Sequence, residues 1–407
     1  MLRASLAKPS PPVPVLRRCM TSLASAKKEG DISDAFTSLS GAQREPLPDR
    51  YRQLKLRLLQ GREDRIVESW KKLLRELKRE NEIVARKGPG VIPQIEFKDL
   101  ERRDDALRGE VKKRGVVVVR GVVPEGEARA YKAEVEEYVA RNPSTRAFPP
   151  HDPQVYELYW SPPQLKARSH PNFLTVQQNL MSLWHTTSPT SISLSQPFSY
   201  ADRLRIRQPG DASFALGPHI DGGSVERWEP EGYGAGHVYD SILQGNWETY
   251  DPWDASGRVD AVNNRELQGA TPGTGQELTG ELHPHLELER TMVHVPEIRP
   301  GDFVAWHCDT IHSVDKVHAG TADSSVLYIP ICPITAQNAE YMVRQREAFL
   351  RGTPGPDFPG GAGESGHVGR GTEEMLDGAA RRAMGLSALR TEGEGDVVRE
   401  ANRILGF

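Results

Sequence analysis

Apolar positions first recur with a helical period after residue 49. Ile66, Trp70, Leu73 and Leu77 stand at spacings of four, three and four, with Arg, Lys and Glu on the other face. The pattern predicts helix over 49–82, broken by Gly88 to Gly90. Residues 115–123, GVVVVRGVV, form a β-branched run suited to a buried strand that Pro124 ends. A helical period returns over 125–140, with Ala128, Tyr131, Val135 and Tyr138 on one side. Over 200–207 the period becomes two, placing Leu204 and Ile206 on one face and Arg203, Arg205 and Arg207 on the other. Residues 291–299 and 303–306 read as two strands joined by the turn Arg299-Pro300-Gly301-Asp302, and 325–331 as another. Residues 255–280 read as a long surface excursion, 337–350 as helix, and 352–372, rich in Gly and Pro, as irregular. Two short helical stretches finish the chain. Short strands without regular intervening helices predict a mainly β core of sandwich or jelly-roll type with flanking helices. The expected layout is one domain over 46–407: a helical preface at 46–112, the core at about 113–335, and C-terminal helices with a Gly/Pro-rich loop at 336–407.

Composition narrows the function classes. The chain has 407 residues, 27% of them charged, with mean hydropathy −0.56. No run approaches the roughly 18–20 apolar residues of a membrane span, so no membrane partner is expected. Net charge is −4, from 52 basic and 56 acidic residues. Without a basic excess, nucleic acid is not an expected partner. Cys19, Cys308 and Cys332 are too few for a disulfide framework and lack CxxC spacing, which fits a reducing compartment and no cysteine zinc site. Residues 1–28 hold no acid but six basic residues and interspersed serines, as a mitochondrial transit peptide would. Pro9, Pro11, Pro12 and Pro14 oppose that helix, leaving a disordered tail as the other reading of 1–45. The expected location is intracellular, mitochondrial or cytoplasmic. No GxSxG elbow, Walker loop or dinucleotide fingerprint occurs in context. A small-molecule enzyme or binding protein remains.

The histidines carry the chemistry. A non-haem ferrous site needs two His and one carboxylate on one face, with the other positions open. His-x-Asp/Glu on an extended segment puts two such ligands on the same side. Chance gives roughly 1.7 such matches in this composition. Three occur: His219-Ile-Asp221, His285-Leu-Glu287 and His307-Cys-Asp309. The third ligand should come from a strand well downstream. After His307 only His312, His318 and His367 remain, and His285 sits in a loop close to His312. For His219-Ile-Asp221, His312 is a suitable partner, following the Gly301-Asp302 turn and its strand. His219, Asp221 and His312 are therefore the candidate metal ligands and catalytic centre. Glycines around them, Gly217, Gly222 and Gly223, allow close approach of backbone to a bound group. His307 and Cys308 read as core or strand residues rather than a second metal site. The aromatic residues Trp228, Tyr233, Trp247, Tyr250 and Trp253 read as core packing or a substrate wall.

Several segments together resemble one family. They are Asp202 to Arg207, Gly217 to Trp228, Gly245 to Glu248 with Tyr250 to Trp253, Pro300 to Val314, and Tyr328-Ile329-Pro330. This family is the YbiU-like one, domain of unknown function 1479, which in turn resembles the Fe(II)/2-oxoglutarate-dependent dioxygenases. The resemblance spans about residues 50 to 360. It implies a double-stranded β-helix of cupin-like form, an Fe(II) ion on His219, Asp221 and His312, 2-oxoglutarate as cosubstrate and O2 as oxidant of a small molecule. It implies no particular substrate or oligomeric state.

One departure bears on the cosubstrate. Many such enzymes bind its distal carboxylate with an Arg about ten positions after the distal His. No Arg or Lys lies here between Lys316 and Arg344. A buried dicarboxylate needs a cation, best a bidentate guanidinium. Candidates are Arg205 first, then Arg207, Arg227 and Lys316, against the reading of Arg203, Arg205 and Arg207 as a solvated strand face. The alternatives are an iron-binding jelly roll with a reaction that does not use 2-oxoglutarate, or a non-catalytic binding protein.

Overall fold

A computed structural model describes residues 36–40, 46–61, 63–102, 104–186, 190–212, 215–229 and 270–407. The preface is two helices, Asp49–Leu59 and Glu63–Lys87, separated at Gly61, whose φ of 71° a side chain rarely adopts. Ile66 and Leu77 are buried and Trp70 and Leu73 half-buried, as the period requires. Tyr51 and Leu54 of the first helix pack with Val225. The second docks on residues 284–291, where Trp70 meets the His285 ring edge-on and Asn81 donates to the His285 carbonyl.

Eleven strands are described: β1 Gln94–Glu96, β2 Val116–Arg120, β3 Ala147–Phe148, β4 Val155–Tyr156, β5 Ser193–Ser199, β6 Arg203–Arg207, β7 His219–Ile220, β8 Gln276–Glu277, β9 Phe303–Trp306, β10 Ser324–Tyr328 and β11 Ile331–Ile334. They form four small sheets, ordered β1-β2-β9, β10-β6-β4-β3, β11-β5 and β7-β8. The GVVVV run becomes the centre of the first sheet. Val118 and Val119 are fully buried, because covering both faces of a strand demands an unbroken apolar run. Pairing of Val116 with Trp306 fixes where β9 ends and the segment to His312 begins.

The alternation in β6 sorts its two faces. Leu204 and Ile206 pack with Val135, Tyr138 and Leu158. Arg205 and Arg207 are only 6% and 7% exposed, so the solvated-face reading fails. Arg205 lies opposite Val326 and Arg203 opposite Tyr328, so these side chains share a face. Helices Glu125–Arg141 and Ala336–Arg351 lie where the pattern predicts them. The latter packs with helix Asp396–Leu405 around Phe198, Ile334 and Met342.

Several expectations are corrected. The flanking helices are present, but among the described residues no sheet closes into a barrel, so a jelly roll is not shown. The strand expected at 291–299 is absent: residue 291 ends the short helix Leu288–Thr291, and 293–299 belong to no helix or strand. Helices Pro162–Ser169 and Pro171–Met181 fall inside the 113–335 span expected to hold short strands without regular intervening helices. Each begins at a proline, whose fixed φ suits a first turn. Within 1–45, read as a tail, residues 36–40 are described: Phe36 and Thr37 are buried, and the Ser38 N–H donates to Glu277. Residues 1–28, and with them the transit-peptide reading, lie outside the described residues, as do Tyr233, Trp247, Tyr250, Trp253 and the Trp228 side chain. No helix among the described residues is long and apolar enough to cross a membrane.

Candidate metal centre

His219 and Asp221 come from β7 and the residue after it, His312 from the chain beyond β9. Each histidine's backbone N–H donates to the other's carbonyl, at 2.9 and 3.0 Å, making a two-residue bridge outside the named strands. Ile220 points the other way, into a cluster with Leu278, Leu286 and Leu288. This is why the dipeptide spacing sends His219 and Asp221 together to one side.

The side chains converge. Candidate ligand atoms of His219, Asp221 and His312 lie within 4.8 Å of one another. His219 Nε2 is 3.6 Å from Asp221 Oδ1, and His312 Nε2 is 3.4 Å from Asp221 Oδ2. His219 Nδ1 lies 2.8 Å from the Gly217 carbonyl and His312 Nδ1 2.9 Å from that of Thr310. A carbonyl only accepts, so each Nδ1 donates its N–H there, which leaves each Nε2 facing the carboxylate. Phe36 meets the His219 ring edge-on at 5.0 Å. Two imidazoles and one carboxylate on one side are the donor set of a facial ferrous site.

Electrostatics favour the ligating forms. Burial, then the neighbouring His219, pulls the His312 pKa below that of ordinary histidine against the opposing pull of Asp221, which favours neutral imidazole. Burial alone would raise the Asp221 pKa. The hydrogen bond with His219, the His312 charge and the Trp306 indole N–H outweigh it and hold the carboxyl below its usual range.

Trp306 is a site residue that the sequence reading missed. Its Nε1–H donates to Asp221 Oδ2 at 3.1 Å, and its ring lies 5.2 Å from that of His312. Tyr328 stands edge-on to it at 6.4 Å. The available signal was its place, at the strand end six residues before His312. Because Tyr328 shares a face with Arg203 and Arg205, the arginine face of β6 is the one turned toward Trp306.

The other candidates fall elsewhere. Arg205 donates through Nη2 to the Gln154 amide at 3.0 Å. Arg207 is held by the Asp211 carboxylate at 2.6 Å and by the Asp211 and Lys316 carbonyls. The Lys316 side chain is exposed. Arg227 pairs with Asp309 beside Gly222, where a Cβ would lie 2.6 Å from Asp309 Oδ1 and 2.7 Å from Arg227 Nη1. Gly222 is thus needed for the approach of an ion pair, not of a bound group. His285 is committed to the preface helix, and Glu287 beside it has a φ of 49°. His307, Cys308 and Asp309 occupy a turn, with His307 and Cys308 exposed, which corrects their reading as core or strand.

Comparison with known proteins agrees with this architecture. The Gig2-like family matches residues 45–265 and 261–386. The uncharacterized protein YbiU of Escherichia coli K12 is 27% identical, over 74% of this chain and 86% of that one. The crystal structure of GlcNAc Inducible Gene 2 (DUF1479) from Candida albicans superposes with a TM-score of 0.76 at 25% identity, covering 90% of this chain and 97% of that one. A proposed oxidoreductase from Salmonella typhimurium LT2 gives 0.72 at 25% identity, covering 84% and 99%. The chain belongs to the Gig2-like family.

Proposed function

We propose that the protein is an Fe(II)- and 2-oxoglutarate-dependent oxygenase that oxidises, by hydroxylation or a related step, a small molecule. One observation carries this reading: two histidines whose Nδ1 atoms are tied to backbone carbonyls turn their Nε2 atoms onto one carboxylate. The Salmonella relative's description as a proposed oxidoreductase supports the same reaction class.

His219, Asp221 and His312 would hold Fe(II). The bound ion would supply the redox chemistry that amino-acid side chains lack, with O2 as oxidant, one of its atoms going to the substrate and the other to succinate as 2-oxoglutarate loses CO2. The chain's task is geometric. Gly217 and Thr310 fix the imidazole tautomers, and Trp306 fixes one carboxylate oxygen. Arg205, a buried guanidinium on the face turned toward Trp306, is the residue we assign to the distal carboxylate of 2-oxoglutarate. The partner is a small molecule rather than a nucleic acid or membrane.

The test is succinate formation by protein loaded anaerobically with Fe(II), then given 2-oxoglutarate and air, with His312→Ala as control. Succinate that depends on His312 is the expected result. Iron bound without succinate, across a metabolite panel, would shift the reading to an iron reaction independent of 2-oxoglutarate. The missing arginine after His312 favours that alternative. An intact triad that binds no iron would leave a binding protein.

A further inference from the structure

We propose a second metal site on His307, Cys308 and Asp309, selective for a borderline-soft divalent cation such as Zn(II) or Co(II). Its ligands are separate from the triad and its existence does not depend on the oxygenase reading.

Three side chains of one turn converge. His307 Nδ1 lies 3.7 Å from Asp309 Oδ2, and the Cys308 sulfur lies 3.9 Å from His307 Nδ1 and 3.8 Å from Asp309 Oδ1. A tetrahedral ion with bonds of about 2.3 Å to sulfur and about 2.1 Å to nitrogen or oxygen sets such atoms roughly 3.4–3.6 Å apart. The His307–Asp309 and His307–Cys308 separations exceed these by only a few tenths of an ångström, and one ligand atom from each of the three residues lies within 4.8 Å of the others. The donors are also prepared. His307 Nδ1 accepts from the Asp309 backbone N–H at 3.2 Å, so its lone pair faces the turn, and an ion would take the place of that one long bond. Arg227 holds Asp309 through Oδ1, as outer partners hold ligating carboxylates, leaving Oδ2, the oxygen that faces His307, for an ion. His307 and Cys308 are exposed, which gives an ion an entry path and a water as fourth ligand. Trp184, half exposed, stacks on the His307 ring at 5.7 Å and an interplanar angle of 29°.

The thiolate separates this site from the triad in preference. Oxygen and nitrogen donors without sulfur suit Fe(II), whereas a His/Cys/Asp set suits Zn(II). The two sites are also joined through the backbone. The Cys308 carbonyl accepts from the N–H groups of Asp221 and Gly222, at 3.0 and 2.9 Å. An ion on the turn would fix the segment that seats Asp221.

The experiment titrates the full-length metal-free protein, with thiols reduced, with Co(II) alone. The expected result is two equivalents bound and a near-ultraviolet thiolate-to-cobalt charge-transfer band. Cys308→Ser should remove that band and one equivalent, with its circular dichroism melt unchanged. His219→Ala should keep the band and lose the other equivalent. Trp184 emission should be quenched in step with the band, and Trp184→Phe should remove that quenching. No charge-transfer band in the wild type, or a band that survives in Cys308→Ser, would overturn the assignment. Failure of the oxygenase reading would appear instead as absent succinate with the band intact.

Discussion

At the residue scale, one indole decides how Asp221 presents itself. A carboxylate with two oxygens can swing, but the Trp306 N–H occupies Oδ2 and limits that freedom. Trp306→Phe keeps the ring contacts and removes the donor. It should lower Mn(II) affinity at least tenfold by calorimetry, the usual scale for losing an outer partner of a metal ligand. Arg205→Met should weaken 2-oxoglutarate binding by about 10–100-fold, the worth of a charged hydrogen bond, while leaving Mn(II) affinity unchanged. A 2-oxoglutarate affinity equal to wild type would remove Arg205 from the assignment. Both triad spacing and the Arg alternation were legible in the sequence, since period two dictates which side chains share a side. Trp306 was not, because its role depends on a hydrogen bond to Asp221, a residue distant in the chain.

At the element scale, the turn before β9 aims the strand that ends in Trp306. Asp302 accepts from the backbone N–H groups of Arg299 and Gly121 and from Arg120. Burial alone would raise its pKa, but those donors outweigh burial and hold it below the ordinary carboxylate range. A lowered folded-state pKa contributes stability above the unfolded value, about 3.9, and loses it as the pH falls toward the folded value. Urea unfolding from pH 7 to 3 should therefore show less acid loss in Asp302→Asn than in wild type, from a lower plateau. Gly301 has a φ of 88°, and a Cβ there would lie 1.9 Å from the Val123 carbonyl oxygen. Gly301→Ala should destabilise by about 1–3 kcal/mol or more, read as a lower urea midpoint. The turn was legible as Pro-Gly-Asp, and β2 as a β-branched run. The helices at 162–181 were not, because Gln164, Arg168 and Gln177 are buried there and blur the apolar period.

At the scale of the whole molecule, the Gly/Pro-rich stretch 352–372 is irregular yet anchored. Glu364, fully buried, accepts from the Tyr138 hydroxyl at 3.0 Å and from the Tyr159 and Trp160 N–H groups at 2.6 and 2.7 Å. Glu364→Ala would strand two buried N–H donors, each costing about 1–3 kcal/mol, and take from the Tyr138 hydroxyl one of its two partners, and should speed proteolytic cutting within 352–372. Composition made the absence of regular helix and strand legible here, but not the single carboxylate that pins the segment to helix Glu125–Arg141 and to the bend at Tyr159 and Trp160. The reciprocal amide bonds between His219 and His312 matter on this scale too. Roughly ninety residues leave the metal centre at one histidine and return at the other. An ion bound there is a clasp on that excursion, added to the two backbone bonds already closing it. Were the intervening chain cut, the histidines would sit on different fragments, and the strength with which the ion is held would become part of the strength with which the two pieces hold each other.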